Sequence, residues 1–138
     1  METLEKIRSA LTTHGLKVTP QRIAVYKALL ELGNHPDTDQ IIAQVTGEHP
    51  TISPGTIYKT LDLFAEYKII NRIKTDTGRM RFDHRTSAHH HLYDKTTDRI
   101  VDFDDDELNR ILSDYFARKS PRDFEIEDVK LQIVGKFK

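Results

Sequence analysis

Residues 53–83, SPGTIYKTLDLFAEYKIINRIKTDTGRMRFD, decide the fold. Ser53 is a good helix N-cap, and Pro54 suits the first helical turn. Ile57, Leu61 and Phe64 recur at i, i+4 and i+7, which builds one apolar helical face. Tyr58 flanks that face, while Gly55, Thr56 and Lys59 point away from it. Ile69 to Lys74 then reads as a strand, Asp76-Thr77-Gly78 as a turn, and Arg79 to Asp83 as the returning strand.

Three more helices are expected upstream. The first runs from about Thr3 to His14, with Leu4, Ile7, Ala10 and Leu11 at helical spacing and Gly15 as its stop. The second opens on Thr19-Pro20, carries Ile23, Ala24, Ala28 and Leu32 in a rhythm broken by Lys27, and closes at Gly33. The third is capped by Asp37 or Thr38, with Ile41, Ile42 and Val45 as its stripe and Gly47 as its end. Helices followed by a hairpin give the element order of a winged helix-turn-helix, with the helix after Ser53 as reader and the hairpin as wing.

Downstream the pattern changes. His89 to Tyr93 and Arg99 to Phe103 are short strand candidates. Asp104 to Ala117 is an amphipathic helix with a stripe of Leu108, Ile111, Leu112, Tyr115 and Phe116, broken at Ser120-Pro121. Val129, Leu131 and Ile133 alternate as a final strand. The expected class is α+β: a winged-helix DNA-binding domain over residues 1–84, then a small α/β unit over 85–138.

Charge follows the same division. The chain has 138 residues and a net charge of −1, with 21 Lys+Arg against 22 Asp+Glu. That average conceals a basic segment. Over residues 53–81, Lys59, Lys68, Arg72, Lys74, Arg79 and Arg81 face only Asp62, Glu66 and Asp76. Such an excess at the reader and wing suits a DNA backbone. Thr56, Tyr58 and Lys59 are the groove-side candidates, Arg22 a phosphate contact from the start of the second helix, and Lys74, Arg79 and Arg81 the wing contacts. With no Cys, the chain has neither a disulfide framework nor a thiolate nucleophile. No apolar run approaches the roughly 20 residues that span a bilayer, and the first residues lack a signal-peptide pattern. The expectation is a cytoplasmic protein with no membrane partner.

Ser87-Ala-His89-His90-His91-Leu92 is the most unusual stretch. On a strand, His89 and His91 share one face and His90 takes the other. Imidazoles at i, i+2 on a strand suit a metal ion, which makes His89 and His91 metal candidates and leaves His90 open as a metal ligand. His35 at a helix junction, Asp83 at the end of the wing and Asp102 in Arg-Ile-Val-Asp-Phe are weaker alone, because capping or a solvated carboxylate explains each. His14 and His49 read as surface residues, and His84 is undecided. The acidic run Asp104 to Glu107 falls on a first helical turn, where carboxylates meet the positive end of the helix dipole.

Val18-Thr-Pro-Gln-Arg22, His35-Pro36, Ser53 to Leu61, Arg81-Phe-Asp83, His89-His-His91 and Ile100-Val-Asp-Phe103 appear in the order that resembles the ferric uptake regulator family of bacterial metal-dependent repressors. The resemblance spans about Leu16 to Gly135. It implies that the small unit over 85–138 is a dimerisation and metal-sensing domain, that the protein is a homodimer binding a double-stranded operator, and that a regulatory site bridges the two domains with three His and two carboxylates. Matching the motifs puts His35, Asp83, His89, His91 and Asp102 at those positions. Such mixed imidazole and carboxylate ligands suit Fe²⁺ or Mn²⁺, with Zn²⁺ as an in-vitro substitute. The family usually adds a structural zinc on two Cys pairs. Here the first pair's positions are Asp94 and Thr97, and the chain ends about where the second would stand, so no structural zinc held by cysteines is expected. A further family metal site falls on Ala88, His90, Asn109 and Val129, a poor ligand set.

Three signals remain open within the resemblance. In a peroxide-responsive branch, iron at the five-ligand site leads to oxidation of a ligating His, here His35 or His89; Asp at position 102 is similar to that branch. A second reading is an Fe²⁺ or Mn²⁺ sensor without redox chemistry. A third is a haem-responsive iron regulator, similar in its lack of Cys pairs and its His run, although no Cys-Pro motif is present. A non-haem iron enzyme is a distant alternative, because it leaves the winged-helix half unexplained.

Overall fold

The computed structural model describes residues 2–86 and 90–138. The chain divides into two compact units, Met1–Thr86 and Ser87–Lys138. In the first, α1 (Glu2–Thr13), α2 (Pro20–Leu32), α3 (Thr38–Glu48) and α4 (Pro54–Glu66) precede a hairpin of β1 (Asn71–Lys74) and β2 (Met80–Asp83).

Three N-caps set the helix starts. The side chains of Thr19, Asp37 and Ser53 accept from the backbone N–H of Arg22, Gln40 and Thr56 respectively. Asp37 and Gln40 form a reciprocal capping box, which settles the start of α3 on Asp37. Gly33, at φ 54°, turns the chain out of α2 in a left-handed conformation that suits glycine. Gly47 does not end α3: the helix runs to Glu48 and His49 is its C-cap.

Ile7 and Leu11 of α1, Val25 and Leu29 of α2, Ile41 and Val45 of α3, and Ile57, Leu61 and Phe64 of α4 form one core. The buried face of α2 differs from the expected stripe. Ala24, Val25, Tyr26, Ala28 and Leu29 are buried, while Ile23 and Leu32 are only partly covered. This helix is packed by several neighbours, so its buried arc is wider than a single stripe. Tyr26 meets Phe64 edge-on at 5.9 Å between ring centroids, and its burial pushes the phenol pKa up. Ile69 and Ile70 lie before β1. Both backbone N–H groups donate to Phe64 O, so this segment closes α4 and enters the core, and only Asn71 onward pairs as strand.

The second unit holds β3 (His90–Asp94), β4 (Arg99–Phe103), α5 (Asp106–Arg118) and β5 (Gln132–Gly135) in a sheet of order β4-β3-β5. β3 and β4 are antiparallel, while β5 returns parallel to β3 after α5. Asp105 caps α5 by accepting from Leu108 N, with Asp106 and Glu107 in its first turn, so the acidic run serves the helix start. α5 has no buried residue; Ile111 and Tyr115 are exposed, as are Ile133 and Val134 of β5. Among the described residues, no helix is long and apolar enough to cross a membrane.

Asp94 ties the C-terminal segment to the β3–β4 turn. Its Oδ1 accepts from Thr96 N and Thr97 N at 2.8 and 3.2 Å, and its Oδ2 accepts from Phe137 N at 3.1 Å. The Arg99 guanidinium lies 4.4 Å from the centre of the Phe137 ring. The Phe137 amide, followed by those of Thr97 and Thr96, holds the Asp94 carboxyl below the usual carboxylate range, against an opposing effect of burial.

Two outcomes are expected. Ile57 is fully buried and its neighbour Tyr58 is half exposed. Ile57→Ala should therefore cost about 2–5 kcal/mol in urea denaturation, and Tyr58→Ala no more than about 0.5 kcal/mol. For Asp94, a depressed pKa means that the tie is intact above the unfolded value of about 3.9 and is lost as pH falls through the lower folded value. The Phe137 amide proton should titrate by NMR with a midpoint below about 3.9, and Asp94→Asn should abolish that titration and speed hydrogen exchange in β5.

Candidate metal centre and nucleic-acid interface

Among the described residues, each of the two units carries a histidine–carboxylate pair. In the first, His35 Nε2 lies 3.2 Å from Asp83 Oδ2, with both side chains almost wholly buried. His35 sits in the α2–α3 link. Asp83 is the last residue of β2, and its Oδ1 accepts from Arg85 N at 2.9 Å, which turns Oδ2 toward the imidazole. The link is bound to β2 by a bridge between Asp37 and Arg81 and by donation from Phe82 N to Pro36 O at 2.9 Å. Backbone pairing thus sets the side-chain pair.

In the second unit, His91 Nε2 lies 3.1 Å from Asp102 Oδ1. Here register does the work. The turn between β3 and β4 pairs Asp94 with Arg99, and counting back along both strands sets His91 directly opposite Asp102 on one face. Asp98, at φ 63° in that turn, has its carboxylate held by the Tyr93 hydroxyl at 2.7 Å.

These donor sets fit a divalent metal. Two donors at right angles around one ion, each about 2.1 Å from it, lie about 3.0 Å apart. The separations of 3.2 and 3.1 Å match neighbouring ligands as well as they match hydrogen-bonded partners. Imidazole nitrogen with carboxylate oxygen is a borderline-hard set that suits Fe²⁺ and Mn²⁺. His89 lies outside the described residues.

His90 is a different case. It is buried, and it points to the opposite face from His91. Its Nδ1 accepts from Leu131 N at 3.0 Å, so the ring proton is on Nε2, which donates to Asn109 Oδ1 at 2.6 Å. Both ring nitrogens have protein partners, and His90 fastens β3 to α5 and to the segment that leads into β5. The family's structural zinc does not fit. The chain has no Cys, and Asp94 spends both oxygens on backbone amides.

The nucleic-acid candidates divide. Tyr58 and Lys59 are exposed on α4, and Lys74 is exposed on β1. Thr56 is partly buried, and its hydroxyl lies 3.0 Å from Ser53 Oγ within the N-cap. Arg22 Nη1 donates to Lys17 O at 2.9 Å from the start of α2. Arg79 pairs with Asp37 at 3.1 Å but keeps most of its side chain in solvent. Arg81 differs from these: it is buried, and its guanidinium donates to the carbonyls of His35 and Asn34. On the two-residue alternation of β2 it takes the face opposite Met80 and Phe82, which pack on the helical core, and it turns to the α2–α3 link rather than to solvent. Among the remaining His, His14 and His49 are exposed as expected.

Sequence reasoning did not find the roles of Arg81, Asn109 or Asp94. Arg81 meets His35 across 46 positions, and no local pattern signals such a contact.

The sequence profile of the ferric uptake regulator family matches residues 13–134. The peroxide-responsive repressor PerR of Staphylococcus aureus strain Mu50 is 31% identical over 134 residues, covering 96% of this chain and 87% of that protein. Ferric uptake regulator from Pseudomonas aeruginosa with manganese superposes with a TM-score of 0.77 at 22% identity, covering 96% of this chain and 98% of that one. A zinc-bound manganese uptake regulator gives 0.64 at 26% identity with the same coverage. Profile, relatives and fold agree with the winged-helix order and the small α/β unit, and the chain belongs to the ferric uptake regulator family, whose members are metal-dependent, DNA-binding transcription regulators rather than enzymes.

Proposed function

We propose that the chain is a homodimeric, cytoplasmic repressor whose operator binding is controlled by Fe²⁺ or Mn²⁺ held by His35, Asp83, His89, His91 and Asp102. The observation that carries this reading is the pair of histidine–carboxylate couples, one in each unit. An ion that took both couples as ligands would favour one arrangement of residues 1–84 relative to 85–138 over all others, which is how a ligand shifts a two-state equilibrium. In a two-fold dimer that arrangement sets the spacing of the two α4 reader helices, and so their fit to major-groove half-sites. Exposed Ile111, Tyr115, Ile133 and Val134 support dimerisation through the C-terminal unit.

The signal we favour is peroxide. Support comes from relatives named peroxide-responsive repressor at 31% identity. Bound Fe²⁺ would supply the redox chemistry that activates peroxide beside its ligands. In the net change, a ring C–H of His35 or His89 becomes C–OH, peroxide's second oxygen leaves as water, and two electrons pass from imidazole to peroxide. An oxidised ring is a poorer ligand, so the metal-held arrangement is lost. Similarity to a manganese uptake regulator supports a second reading, a plain divalent-metal sensor. A haem reading has no support at His90, whose nitrogens are engaged.

Mass spectrometry after brief peroxide exposure of the Fe²⁺-loaded protein separates these readings. One added oxygen on the His35 or His89 peptide is expected; no addition, with metal-dependent DNA binding retained, selects the plain sensor. For the site itself, His91→Ala should lose Mn²⁺-dependent retardation of operator DNA while sedimenting as a dimer, and a full metal response refutes the assignment. For the interface, Lys74→Ala should weaken binding to all sequences alike and lower the slope of log K against log salt by about one unit. An unchanged slope in a salt titration removes Lys74 from the phosphate contacts.

A further inference from the structure

We propose that Arg81 is the positioning residue of the N-terminal half of the metal site, holding the His35 imidazole on Asp83 through the backbone of the α2–α3 link. The inference rests on the reading of His35 and Asp83 as metal ligands.

The link is an unusual piece of chain. Gly33, Asn34 and His35 have φ of 54°, 42° and 57°, three successive residues in the left-handed region. Glycine tolerates that region, whereas Asn and His carry a Cβ and adopt it only when their surroundings hold them there. The buried Arg81 guanidinium supplies the hold. Its Nε donates to His35 O and its Nη2 to Asn34 O at 3.3 Å, so one planar fork clamps the two strained carbonyls. The same residue is the β2 partner of Asp37 in the bridge that docks the link. Asp83 lies two positions along that strand. One strand therefore contributes a ligand at position 83 and, at position 81, the clamp that aims the other ligand.

This differs from a general structural role. A core residue stabilises the whole unit; the Arg81 fork touches the backbone of one proposed ligand. Groups that orient ligands typically change metal affinity by about 10- to 100-fold when removed. Lysine cannot replace the fork, because an ammonium is a point donor without the planar pair of N–H groups. The clamp also puts the base of the wing and the ligand link in one body, so the metal couple and the DNA-facing Lys74 strand share a hairpin.

The test measures Mn²⁺ affinity of the full-length protein by the electron paramagnetic resonance signal of free Mn²⁺, together with melting temperature. The proteins are wild type, Arg81→Ala, Arg81→Lys, His35→Ala and Val45→Ala. Val45 is a buried core residue of α3 that lies outside the ligand set. Arg81→Ala and Arg81→Lys are expected to bind Mn²⁺ about 10- to 100-fold more weakly, while Val45→Ala melts lower and binds Mn²⁺ like wild type. If Arg81→Ala does not fold, Arg81→Lys decides alone. Wild-type affinity in the arginine variants, with loss in His35→Ala, overturns the inference and leaves the ligand assignment standing. Equal weakening in Val45→Ala also overturns it, because the effect then follows stability. Wild-type affinity in His35→Ala overturns the ligand assignment and the inference with it.

Discussion

Backbone register is the constraint on which both histidine–carboxylate couples depend. Asp102 meets His91 because the β3–β4 turn pairs Asp94 with Arg99; a slip of one residue would send one partner to the opposite face. Asp83 meets His35 because the α2–α3 link is bridged to β2 at Asp37 and Arg81. Neither couple relies on a long flexible side chain to find its partner. Hydrogen bonds of the main chain bring two short, stiff side chains to 3.1–3.2 Å. The entropy cost of assembling each couple is thus met during folding.

That division of labour explains where the buried polar groups go. A buried imidazole or guanidinium without partners costs free energy. His90 uses both ring nitrogens, on Asn109 and on the amide of Leu131, and is held as a structural residue. Arg81 uses its fork on two carbonyls. Adjacent residues of one strand thereby take opposite roles: His91 pairs with a carboxylate, which is a metal-competent partner, whereas His90 meets an amide oxygen and a peptide N–H. The alternation of the strand separates them, and the identity of the facing group decides what each can do.

Much of this was legible in the sequence because the signals are local. Thr19-Pro20, Asp37 and Ser53-Pro54 start helices where capping rules place them, and Ile57, Leu61 and Phe64 are buried as their spacing requires. The period of two along the His run separates His90 from His91 correctly. Long-range pairing was not legible. Ile69 and Ile70 look like strand, yet their amides bond to Phe64 O and close a helix. Arg81 looks like a wing cation until the link 46 residues upstream is brought to it. Amphipathicity alone marks which residues of α2 are apolar, and the number of neighbours packed around the helix decides how wide an arc is covered.

Lack of cysteine changes what holds the C-terminal unit together. A metal staple joins distant segments by directional bonds to a few side chains. Asp94 joins two distant segments through backbone donors, taking the amides of Thr96 and Thr97 on one oxygen and that of Phe137 on the other. The carboxylate is the ionised form that accepts such bonds best, and the Arg99 guanidinium on the Phe137 ring secures the same junction. Such a tie needs neither chelation nor a reducing or oxidising environment. It remains in place at any pH above the carboxylate range, because the folded protein holds the Asp94 carboxyl in its ionised form to lower pH than the unfolded chain does.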